Sequence, residues 1–104
     1  MTPSRAGSPT PHEVSDEFRR VVERWHQLPL DHALSRMPSV RAVVQALADR
    51  VAGARGLESR PVPDLGPAVV MDQLAVMVHD VFVTEPDADP AVVADALAGI
   101  RRLL

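Results

Sequence analysis

Two groupings in this 104-residue chain have residue types suited to chemistry. Glu23 and His26 form a Glu-x-x-His spacing, which sets a carboxylate and an imidazole on one helical face, as di-iron helical bundles do. Such sites require a second copy of the motif and two further inward-facing glutamates. This sequence has one copy, among charged neighbours, so no metal site is expected. His79 beside Asp80 has the composition of a tuned proton-transfer group. Adjacent helical residues diverge by about 100°, so the two are not expected to pair. His12 and His32 fall near the start of a helix and in a loop, where imidazoles are solvated.

Nucleophiles and cofactor loops are missing from the pattern. No serine sits in the Gly-x-Ser-x-Gly context of a nucleophile elbow, and the glycines are scattered singly, so no phosphate-cradling loop exists. The chain has no cysteine, which removes thiol nucleophiles, thiolate metal sites and disulfides. No catalytic or cofactor-binding residue and no cofactor is assigned, and the chain reads as non-enzymatic.

Composition bounds the rest. A hydrophobic fraction of 46% and a charged fraction of 24% are those of a globular domain, and the length suits one core. A net charge of -3 gives no general attraction to phosphate backbones, so nucleic acid is not an expected partner. All basic residues are Arg, with Ala and Val abundant, a bias that suggests a GC-rich bacterial genome rather than phosphate recognition. Without a signal-peptide pattern or a long uninterrupted apolar run, the expected location is the cytoplasm.

The elements that carry these residues are helices. Residues 1–9 hold Pro, Gly and Ser without apolar periodicity and read as a flexible tail, leaving 10–104 as the single domain. In "TPHE", Thr10 is placed as N-cap, Pro11 at the first helical position and Glu13 as its capping-box partner. Val14, Phe18, Val21, Trp25 and Leu28 then form one apolar stripe, opposite Asp16, Glu17, Arg19, Arg20, Glu23 and Arg24. Pro29 ends this helix. A short turn from Asp31 is expected to close at Pro38, after which Ser39 caps a second helix with Val40, Val43, Val44, Leu47 and Val51 inward and Gly53 as its stop. The 14-residue connection "ARGLESRPVPDLGP", 54–67, should pack Leu57, Val62 and Leu65 onto the core. A third helix is expected from near Pro67 to Val83. A fourth, capped by Asp89–Pro90, should bury Val93, Leu97, Ile100 and Leu104, with Arg101 and Arg102 in its last turn. The architecture is an all-α four-helix bundle of mostly antiparallel neighbours with one long excursion.

The third helix has two apolar faces. Val70, Met71, Leu74, Met77, Val78, Val81 and Phe82 span one broad side, which must meet the core. On the opposite side Val69, Val76 and Val83 recur every seven residues, with Asp72 and His79 along one edge and Gln73 and Asp80 along the other. No two of these polar residues lie three or four apart, so their partners should come from elsewhere. Either the ridge is covered by the long loop or the fourth helix, or it is exposed and docks a second copy or a helical protein partner. The exposed alternative makes the chain an interaction or adaptor protein, a homodimer or the partner of another helix, with Trp25 as a second anchor. A helical transcription regulator would need Arg19, Arg20, Arg24 and Arg41 clustered on one face. A ligand-binding or enzymatic bundle would need a closed polar cavity around Asp72 and His79.

Overall fold

The computed structural model describes residues 8–104 and contains α1 (His12–Gln27), α2 (Leu30–Ala54), α3 (Val70–Thr84) and α4 (Pro90–Leu103), with no strand among the described residues. This is the all-α bundle expected. Of the tail proposed over 1–9, residues 1–7 lie outside the described residues, and Ser8 and Pro9 are exposed.

In α1, Val14, Val21 and Trp25 are buried, with Phe18 and Leu28 packed partly against them, because steps of four and three return a side chain to the same face. The helix start differs from the expected capping box. Pro11, not Thr10, occupies the cap position at φ -60 and ψ 149, with no side-chain cap bond. Its carbonyl accepts from the backbone N–H groups of Val14 (3.1 Å) and Ser15 (3.0 Å). A proline's fixed φ already suits that junction. At α4 the device is as expected, with Pro90 in the first turn and Asp89 Oδ1 accepting from Ala91 N–H at 2.9 Å.

The expected break at Pro38 is absent: one helix, 25 residues long, runs through it. Ala33, Met37, Val40, Val44, Leu47 and Val51 are buried at steps of four and three, so a single stripe crosses the proline without a change of phase. Packing on both sides of Pro38 holds the backbone helical. Pro38 itself is exposed, as is Leu34, whose carbonyl loses its donor and can turn to water. The stop is Gly56 rather than Gly53. Gly56 has φ 70, its N–H bonds the Gly53 carbonyl (3.1 Å), and Leu57 N–H bonds that of Ala52 (2.8 Å). That pair of bonds is a Schellman motif, which needs the left-handed residue just beyond the helix.

After Gly56 the chain turns back down α2. Gln45 grips this return: its Nε2 donates to the Arg60 carbonyl (2.9 Å) and its Oε1 accepts from Val62 N–H (2.8 Å). Lower down, the Arg41 guanidinium lies 3.7 Å from Asp64. Val62 packs on the core as expected, but Leu57 (63% exposed) and Leu65 (57%) do not. The Gln45 grip turns Val62 alone toward the core, and the other side chains of residues 57–65 are exposed. Because the loop descends before α3 begins, α3 climbs beside α2 in the same sense, from Gln73 near Gln45 to Glu85 against Arg50.

The main packed pairs are α1 with α4 and α2 with α3, and α2 also meets α4. Leu74, Val81 and Phe82 of α3 join Val93, Leu97 and Ile100 of α4 in the core. Trp25 Nε1 donates to the Pro67 carbonyl at 3.0 Å, tying α1 to the turn before α3. Glu17, placed by the sequence on the polar face, is buried, and it takes a two-pronged ion pair from Arg101 of α4, Nε to Oε2 and Nη2 to Oε1 (3.4 Å).

Candidate functional site

The core side of α3 is as the helical wheel places it: Val70, Met71, Leu74, Val78, Val81 and Phe82 are buried and Met77 is partly so. On the opposite side neither the loop nor α4 covers the valine ridge. Val76 is 52% exposed and Val83 48%, while Val69 is half-buried at the turn into the helix. For apolar side chains held rigidly on a helix, that leaves surface an adjoining protein could bury.

The edges of the ridge have different partners. Gln73 Nε2 donates to the Pro63 carbonyl at 3.0 Å, pinning the loop to α3. His79 Nδ1 lies 3.4 Å from Asp80 Oδ1, so the adjacent pair expected to diverge does meet. Side-chain rotation closes the gap that the backbone angle opens, but this long contact is exposed and contributes little. Asp72 is exposed and makes no ion pair or side-chain hydrogen bond with any described residue.

Beside the ridge lies an open cleft of about 960 Å³. Ala48 and Ala52 of α2, Leu57 and Val62 of the loop, and Val76 and Met77 of α3 contribute apolar wall to it. It exists because the loop is held against α2 by Gln45 and against α3 by Gln73, leaving a gap between helices where the facing α2 residues are alanines. Sequence periodicity could not reveal this cleft, since it depends on the path of an aperiodic loop.

The remaining candidates take structural roles. Trp25 is only 5% exposed, so it is a core residue of the single chain and presents no free anchor. Arg19 pairs with Asp16 (3.7 Å) and Arg20 with Glu17 (3.6 Å). Arg24 donates to the Leu104 carbonyl (2.9 Å), and Arg41 serves the loop. These four arginines therefore form no shared unpaired basic face. Among the described residues no three His, Asp or Glu side chains lie close enough to hold a metal ion, Glu23 and His26 included. The apolar cleft is open, with Asp72 at its wall and His79 outside it. Among the described residues no helix is long and apolar enough to cross a membrane.

Two ion pairs shift titrations. The Arg50 guanidinium donates to Glu85 at 2.8 and 3.2 Å. That bond holds the Glu85 carboxyl below its ordinary value and raises the Arg50 guanidinium above its own. Glu17 likewise raises Arg101, chiefly through its hydrogen bonds. Glu17 was legible in principle, because it stands three residues after Val14 and four before Val21 on the apolar stripe.

No family model, curated protein or solved structure matches this chain.

Proposed function

We propose that this protein is a non-catalytic helical interaction module of the cytoplasm, which acts by docking a helical protein surface, its own or another's, on the outward face of α3. The observation that carries this reading is the half-exposed ridge of Val76 and Val83 beside an apolar cleft. A helix that met only water on that side would gain nothing from valines every seven residues. The cleft rim is fixed by backbone-directed bonds from Gln45 and Gln73, so the surface is formed before a partner arrives.

The test is site-specific photo-cross-linking in cells of the native source, with the photoreactive residue at position 76 and, as control, at exposed Ala46 of α2. A defined protein adduct at 76 and none at 46 is expected. An equal absence at both positions would refute an interaction face on α3.

A further inference from the structure

We propose that the surface docked on α3 is that of a second copy of this chain, the two α3 helices crossing antiparallel on a two-fold axis at Val76. This rests on the reading of α3 as an interaction face and adds the partner and its geometry.

The argument is one of complementarity. Val69 and Val83 lie seven residues either side of Val76, so a two-fold axis there sets Val69 of one copy against Val83 of the other. In an antiparallel pair each polar edge meets the same edge of its mate. Asp72, four residues before the axis, then faces His79, three residues after it, and Gln73 faces Asp80. Each match occurs twice by symmetry. Asp72, which makes no ion pair or side-chain hydrogen bond with any described residue, would accept from the Nε2–H of the other copy's His79, whose Nδ1 lies 3.4 Å from its own Asp80, the ring serving both carboxylates in its doubly protonated form. Gln73 donates to the Pro63 carbonyl and retains a second amide hydrogen for a carboxylate.

A parallel pair is poorer. It would set Asp72 against Gln73 and give His79 a second aspartate while both Asp72 carboxylates lacked a cation. Parallel helix dipoles also repel where antiparallel ones attract. The helix ridge alone is smaller than the roughly 800 Å² per partner of a standard interface, so the dimer is weak and its mass depends on concentration.

The experiment uses the purified full chain, whose lack of cysteine makes introduced thiols unambiguous. Light scattering over a concentration series should show a mass rising from 11.3 kDa toward twice that value. Val76→Cys should cross-link to itself with a short bis-maleimide, whereas Val69→Cys and Val83→Cys should link when mixed and poorly when alone. Since position 76 is half-exposed, these variants are checked for native helicity first, and a charge exchange supplies an independent reading. His79→Asp should weaken dimerisation roughly tenfold, and adding Asp72→His should restore it. A monomer at every concentration overturns the proposal, as does self-linking of Val69→Cys equal to that of Val76→Cys. If the chain is monomeric while the residue at 76 captures a different protein in cells, the dimer fails and the interaction reading stands.

Discussion

Pro38→Ala should stabilise the protein. A proline inside a helix costs about 3 kcal/mol relative to alanine, through a lost hydrogen bond and a clash with the carbonyl four residues earlier. Two features of the structure reduce that figure here. Leu34, which carries the affected carbonyl, is 50% exposed, so water recovers about 1 kcal/mol of the missing bond. Proline also stiffens the unfolded chain, and its removal returns about 0.4 to 1 kcal/mol of entropy to that state. The net gain is about 1.5 kcal/mol. With an unfolding entropy of about 2.1 cal/mol/K per residue, near 0.2 kcal/mol/K for a chain of this size, the midpoint should rise by about 7 °C. Urea and thermal unfolding followed by circular dichroism, with Trp25 fluorescence as a second probe, measure both quantities. A loss of stability would show that the segment needs a true break at Pro38, and would refute the single continuous α2.

Two further substitutions separate the glycine that stops α2 from the one that merely lies in it. Gly56→Ala should destabilise by about 1 kcal/mol, since a left-handed φ of 70 costs any residue with a Cβ, while Gly53→Ala should stabilise by about 0.5 to 1 kcal/mol, a Cβ there meeting nothing within 4 Å; the two urea midpoints should move in opposite directions. Glu85 carries a pH signature. Its carboxyl is held below the ordinary 4.5 by the Arg50 hydrogen bond, so the folded state keeps its charge to lower pH than the unfolded chain does. The pair's contribution is present above the unfolded value and is lost as pH falls through the folded one. Glu85→Gln should therefore be less stable than wild type at pH 7 and converge with it in acid, and a constant gap down to pH 3 would contradict the pairing.

Most of the fold was written in periodicity. The stripes of α1, α3 and α4 bury most of what their spacing assigns, with Phe18, Leu28 and Met77 only partly covered, because angle on a helix decides which side chains can face the core. The errors lie where a local rule met tertiary packing. Pro38 satisfies every rule for a helix end, yet Met37 and Val40 flank it in one continuous stripe, and burying both outweighs the local cost. Gly53 satisfies the rule for a stop as well as Gly56 does. Only the second can place Leu57 N–H against Ala52, since the core stripe must first reach Val51.

The proposed docking surface was half legible for the same reason. A ridge of valines every seven residues can be read from the sequence, but whether anything covers it depends on the path of residues 55–69, which no periodicity encodes. That path is set by two glutamines, Gln45 and Gln73, whose amides hold the backbone of Arg60, Val62 and Pro63. Held there, the loop fills the flank of the α2–α3 pair and stops short of the ridge. Had the loop lain across Val76 instead, the same sequence pattern would have described a buried central helix. The exposure of Val76 thus depends on side-chain to backbone bonds made by Gln45 from α2 and by Gln73 from the flank of the ridge, and loosening them by Gln45→Ala would free the loop to shift and alter the face that α3 presents.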